Sequence, residues 1–156
     1  MILSFDNLIS KFSGVSLLAV NSSASAYHGL QVKAEIFFEV MNTLHNDENY
    51  RYVFLLDHLA VDRLNEKIFD LYYVLFSPHY NDTLIVLVKI GRDNPIIPSV
   101  SSLWPIAQWQ EREVFDLFGV LYNENVDLRR MFLDDDWKGF PLRKDYTDDF
   151  IIGCDE

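Results

Sequence analysis

The chain has 156 residues, enough for one domain with a sizeable core. Apolar residues make up 49% and aromatics 15%, which excludes disorder as a description of the whole. A net charge of −11 repels phosphate backbones and anionic headgroups, which disfavours nucleic acid and direct headgroup binding.

Residues 1–14 (MILSFDNLISKFSG) carry Asp6 and Lys11 within an apolar pattern. They predict a short amphipathic helix rather than a signal peptide. Residues 15–20 and 28–33 are expected as two strands around the polar turn NSSAS. In residues 34–45, Ile36, Phe37, Val40, Met41 and Leu44 recur at helical spacing, and the polar NDEN stretch ends that helix. Three apolar runs follow, at 52–56, 68–76 and 83–90, separated by polar loops. Their close spacing predicts an antiparallel meander backed by helices, hence an α+β fold with a mostly antiparallel sheet. No apolar run approaches the ~20 residues needed to cross a bilayer, so any membrane connection comes through a partner. Residues 1–122 are expected as the domain proper, and 123–156 as an extended C-terminal segment packing on it and on a partner. Cys154 is the single cysteine; it is expected as a free thiol in a reducing compartment, and one thiol holds neither an iron–sulfur cluster nor a structural zinc.

The loop GRDNPIIPSVSS leads into a helix predicted over 103–118. Stepping about 100° per residue, Leu103, Trp104, Ile106, Ala107, Val114, Phe115, Leu117 and Phe118 share a broad apolar arc. Gln108, Arg112 and Asp116 lie opposite, where Arg112 and Asp116, four apart, can pair along the surface. Glu111 breaks the division by projecting from the middle of the apolar arc. A carboxylate there needs a partner or a proton. The expected partner is a guanidinium from Arg129, Arg130 or Arg143, supplied by a tail folded back across the helix. Glu111 can also be read as a general acid or proton-relay member. That reading lacks a second group, because residues 103–146 hold no histidine and no nucleophile suited to it.

Downstream, Arg129 and Arg130 are adjacent, so on an extended backbone they point to opposite sides. The acidic run Asp134, Asp135 and Asp136 before Trp137 is expected as a solvated loop or helix cap rather than a cation site. The run PLRKD (141–145) places two cations in an acidic chain, and Arg143 suits bidentate recognition of a carboxylate. Tryptophan, arginine and other aromatics concentrate at protein interfaces, and residues 104–146 are dense in them.

The run WPIAQWQEREVFDLFGV (104–120), followed by DLRRMFL (127–133), DDWKG (135–139) and PLRKD (141–145), resembles the signature of the 30-kDa subunit family of respiratory complex I, the C-type subunit of NADH–quinone oxidoreductase. Pro98, Ser99 and Val100 just upstream resemble it too, and the similarity spans roughly residues 57–146. The resemblance implies a peripheral-arm subunit of a proton-translocating respiratory oxidoreductase, with no active site and no redox cofactor of its own. Flavin and iron–sulfur clusters are then expected on partner subunits. It implies packing against the large quinone-site subunit (49-kDa or D type) and attachment to the membrane only through the complex, on the cytoplasmic or mitochondrial matrix face. Trp109, Glu111, Arg112, Glu113, Asp116, Asp127, Arg129, Arg130, Trp137, Pro141, Arg143, Lys144 and Asp145 are the expected interface and ion-pair residues. The alternative is the equivalent subunit of a membrane-bound nickel–iron hydrogenase or of a ferredoxin- or F420-linked relative. Two departures stand out. The family usually has Gly-His-Pro-Asp-Leu-Arg-Arg where this chain reads NENVDLRR (123–130), and Phe140 stands where a second histidine precedes the PLRKD run.

Overall fold

The computed structural model describes residues 5–18 and 28–148; the expected turn at NSSAS, the end of the strand at Val20, and Cys154 lie outside them. Helix α1 (Asp6–Lys11) precedes strands β1 (Val15–Leu17) and β2 (His28–Val32). A single 3-10 turn (Ala34–Ile36) leads into α2 (Phe37–Asn46). Strands β3 (Phe54–Arg63), β4 (Ile68–Ser77) and β5 (Asp82–Gly91) follow, then the short β6 (Ile96–Pro98), helix α3 (Ala107–Phe118) and β7 (Leu121–Asn123).

The five-stranded sheet runs β1-β2-β5-β4-β3. β4 is antiparallel to both β3 and β5, and β1 is antiparallel to β2. β3, β4 and β5 thus form the expected meander in a mostly antiparallel sheet, while β2 runs parallel to β5 and makes the sheet mixed. That pairing needs the crossover through α2, β3 and β4, a long-range arrangement that local strand spacing does not encode. β6 and β7 form a separate parallel pair on either side of α3.

Alternation on the strands selects one buried face. Phe69, Leu71, Tyr73 and Leu75 of β4 and Leu84, Val86, Val88 and Ile90 of β5 all face the core, where Phe37, Val40, Met41 and Leu44 of α2 cover them. Phe37 meets Tyr73 with ring centroids 4.9 Å apart. β3 is longer than the apolar run at 52–56 predicted. Its second half, DHLAVDR, places His58 and Asp62 inward, both buried, so polar groups interrupt the apolar pattern while the ladder to β4 continues. Tight turns join the long strands, with Lys67 and Asn81 in left-handed conformation (φ 55° and 49°).

α3 is shorter than predicted. Residues 101–106 form turns, and Pro105 just before the helix needs no amide hydrogen-bond partner there. Trp104 and Ala107 are buried as expected, but Ile106 stands 49% exposed. Among the described residues, 124–148 contain no helix or strand, and no helix is long and apolar enough to cross a membrane.

Candidate functional site

α3 is clamped between the sheet and the tail, and each of its two faces carries a fully buried carboxylate. On the sheet side Glu111 is 0% exposed, as its place on the apolar arc required. No arginine reaches it. Its Oε2 accepts from the Ser99 hydroxyl (2.7 Å) and the Asn125 amide (2.8 Å), and its Oε1 from the Val100 backbone amide (2.8 Å). The expected guanidinium partner is therefore replaced by three neutral donors. Burial raises the Glu111 pKa, and the bonds from Ser99, Val100 and Asn125 pull it part of the way back. The loop 99–101, held by a Ser99 to Ser101 hydroxyl contact of 2.7 Å, brings two of these donors into place.

Beside Glu111 lies a second buried polar pair that the sequence pattern did not reveal. His58 Nδ1 lies 3.0 Å from the Tyr72 carbonyl, and Nε2 lies 2.6 Å from the Tyr122 hydroxyl. A carbonyl only accepts, so Nδ1 carries the proton and Nε2 accepts from Tyr122. Burial lowers the His58 pKa to about 4, which keeps the ring neutral at physiological pH. Its inward parity on β3 is the available signal, hidden when the strand is expected to end at residue 56.

On the opposite side of α3, Arg112 and Asp116 do not pair with each other along a solvated surface. The tail covers both, leaving Arg112 4% and Asp116 0% exposed. Arg112 instead meets Asp127 (3.3 Å), donates to the carbonyls of Arg129 and Arg130, and stacks over Trp109. Asp116 takes Arg130 (2.8 Å) and three successive backbone amides, those of Met131 (3.0 Å), Phe132 (2.7 Å) and Leu133 (3.1 Å). Burial works against the Asp116 charge. The Phe132 amide, the Arg130 guanidinium and the other two amides outweigh it and hold the carboxyl below its ordinary range. Arg130 also donates to the carbonyls of Trp137 and Gly139 (both 3.0 Å), so one guanidinium ties together three stretches of chain.

Arg129 turns outward, 72% exposed, and among the described residues pairs only with Asp127 (2.7 Å). The adjacent arginines thus diverge as the extended backbone predicts, although the inward one serves Asp116 rather than Glu111. Among the described residues, Arg143 pairs with no carboxylate. It donates to the Phe118 carbonyl at the end of α3 (2.6 Å) and lies over Phe69 and Phe140. Phe140, in the place of the motif histidine, is flanked by the guanidiniums of Arg143 (4.8 Å) and Arg130 (5.3 Å), an environment hostile to a protonated imidazole. Its ring also closes on Gly119, where φ of 76° and the absent Cβ let it approach.

The end of the tail is held by two residues that no sequence motif singles out. Asp62 accepts a fork from Arg92 (2.9 and 3.2 Å) and the Lys144 backbone amide (2.8 Å), while Arg92 also pairs with Asp145. Lys144 takes part through its backbone, not its charge. Glu113 is exposed and makes no ion pair among the described residues, and Asp134, Asp135 and Asp136 are exposed as expected for a solvated loop. Trp137 and Pro141 of the tail are half-buried, whereas Trp109 is 54% exposed.

The first motif departure lies in the same seam. Asn125, aligned with the first motif histidine, is one of the Glu111 donors. Glu124, aligned with the motif glycine, has φ of 71°, a conformation that suits glycine and strains a side chain. Val126, aligned with the motif proline, is 90% exposed.

The fold and the seam define an α+β domain on a mixed sheet, with a C-terminal layer strapped over α3 by ion pairs. Residues 30–149 match the family described as the respiratory-chain NADH dehydrogenase 30 Kd subunit, a longer match than the expected 57–146. The chain belongs to this family. It is 34% identical over 138 residues to the C-type subunit of NADH-quinone oxidoreductase from Bartonella bacilliformis, covering 86% of this chain and 67% of that one. It is 39% identical over 115 residues to the corresponding subunit from Parvibaculum lavamentivorans, covering 73% of this chain and 57% of that one. Several curated relatives are thus much longer than the part this chain spans. Among solved structures, a trypsin-resistant fragment of Nqo5 superposes with a TM-score of 0.61 at 27% identity, covering 73% of this chain and 89% of the fragment. A chain of an archaeal membrane-bound sulfane sulfur reductase shares the fold, with a TM-score of 0.76 at 22% identity over 90% of this chain and 82% of that one.

Proposed function

We propose that this chain is a cofactor-free peripheral-arm subunit of a complex I-type NADH–quinone oxidoreductase. Its α3 and tail layer docks on the large quinone-site subunit (49-kDa or D type). Flavin, iron–sulfur clusters and the quinone site belong to the neighbouring chains, and this domain stabilises the joint while electron transfer drives proton translocation. It is held at the membrane only through the complex, on the cytoplasmic face or its mitochondrial equivalent.

The observation that carries this reading is how the layer divides its groups. Its buried charges are satisfied within the chain, while large apolar side chains point outward. Ile106, Trp109, Val126, Phe132 and Leu142 are 49%, 54%, 90%, 60% and 49% exposed. A surface that is internally anchored and apolar outside supports a docking role, since exposed apolar patches mark interaction sites. Names borne by the relatives support the choice of complex.

The test is a gentle pull-down of the tagged chain from solubilised membranes, with co-purifying subunits identified by mass. Recovery of the large quinone-site subunit with an NADH-binding chain is the expected result. A nickel-site large subunit without an NADH-binding chain would move the protein to a hydrogenase, and recovery of neither would overturn the reading.

A further inference from the structure

β3 ends the sheet order, so one of its backbone edges has no strand beside it. Two contacts lie near the ends of that edge, of which the first meets its backbone. The Gln110 side chain donates to the Leu56 carbonyl (3.3 Å), and the Lys144 amide reaches the Asp62 carboxylate (2.8 Å). Between them, the outer edge of β3 makes no backbone–backbone hydrogen bond among the described residues, and its His58 amide donates to the neighbouring Asp57 carboxylate (2.9 Å). Here α3 runs alongside and leaves a slot of about 300 Å³, lined by Asp57 and Leu59 of β3, by Glu113, Val114 and Leu117 of α3, and by Leu142 of the tail. Leu59 and Leu142 are 42% and 49% exposed. Asp57 and Glu113 are exposed, and neither has an ion-pair partner among the described residues, in contrast to Asp116 and Asp127 of the tail seam.

Each feature selects the occupant. The remaining groups of the strand edge are matched most fully by another extended backbone. The leucines at the slot take an apolar side chain from an alternate position of that strand. Two carboxylates without an ion pair, Asp57 keeping one oxygen free beside the His58 amide, take a cation, which a second copy of this chain of net charge −11 is poorly suited to bring. We infer that the slot receives an extended segment of a partner subunit, added as a strand along β3. One apolar side chain of that segment seats among Leu59, Leu117 and Leu142, and a lysine or arginine beside it reaches Asp57 and Glu113. The inference rests on the proposed docking role and states which kind of partner segment this edge takes.

The experiment places a photo-cross-linking amino acid at Leu59 in one variant and at Trp109 in another, each in the full chain within the assembled complex. The expected result at both positions is a cross-link to a partner subunit. At Leu59 the captured peptide contains a lysine or arginine flanked by apolar residues, and Asp57→Asn with Glu113→Gln lowers its yield about tenfold. A cross-link from Trp109 but none from Leu59 would overturn the slot and leave the docking role standing. No cross-link from either would sink both. Capture of residues 149–156 of the same chain at Leu59, or of a partner peptide without a basic residue, would also overturn the slot.

Discussion

Two carboxylates on one helix, five residues apart and both 0% exposed, are satisfied in opposite ways. Glu111, facing the sheet, has neutral donors and a raised pKa; Asp116, facing the tail, has an arginine and three amides and a lowered one. Burial is common to both, so it does not decide the charge. The partners do. Toward the sheet, the helix meets a loop whose groups are uncharged and a histidine kept neutral by desolvation. Toward the tail, it meets the densest run of arginines in the chain, and there the ion pairs tie an otherwise irregular segment to the domain.

The largest expected effect breaks the tail side of this comparison. Asp116→Ala leaves Arg130 without its anion and orphans three amides, and should cost about 3–5 kcal/mol in chemical denaturation. Arg129→Ala, at a 72% exposed site, should change stability by less than about 0.5 kcal/mol. Equal effects from the two would refute the anchoring role of Asp116.

Next comes the pH dependence of the sheet side. The unfolded chain protonates His58 below its ordinary ~6.5, while the folded chain keeps it neutral until about pH 4. Its contribution is therefore fully present above pH 6.5 and is lost as pH falls toward 4, by roughly 3 kcal/mol. Glu111 acts with the opposite sign: its raised pKa favours the folded state on acidification, and that gain fades as pH rises through the folded value. His58→Gln cannot charge, so it should flatten the loss seen in the parent between pH 6.5 and 4. An unchanged slope would mean that His58 is not held neutral.

Glu111→Gln should cost less than Asp116→Ala, about 1–2 kcal/mol, because Ser99 and Asn125 can reorient around an amide. A loss as large as that of Asp116→Ala would show that a full charge is needed there. The smallest effect is a gain. Glu124→Gly relieves a left-handed side chain and should stabilise the domain by about 1 kcal/mol in thermal unfolding. A loss instead would mean the Glu124 side chain contributes more than its strain costs.

Periodicity is enough to bury Glu111 and to make Arg129 and Arg130 diverge, because it reports which side a residue faces. The tail does fold back across α3, but not to bring Glu111 the arginine from which that fold-back was expected. The sequence did not show which donor each acid takes. A backbone amide such as Val100 has no side-chain signature, and Ser99 and Asn125 lie in separate loops, so an arginine partner for Glu111 looked more natural than the neutral set that the fold supplies. The Arg112–Asp116 pair was plausible on an exposed helix face. Once the tail covers that face, Asp127 and Arg130 approach from outside and displace it. The parallel β2–β5 pairing and the second half of β3 escaped for related reasons. The first depends on a crossover, and the second carries polar residues whose partners are distant in the chain.

The most direct test of the account is amide hydrogen exchange on the isolated, folded chain. If the tail is anchored by its own contacts before any partner binds, the amides of Met131, Phe132 and Leu133, which converge on Asp116, exchange far more slowly than in an unstructured peptide. Asp116→Ala should release them. Exchange at peptide rates in the parent chain would contradict the account and mean that only the partner fixes the tail in place.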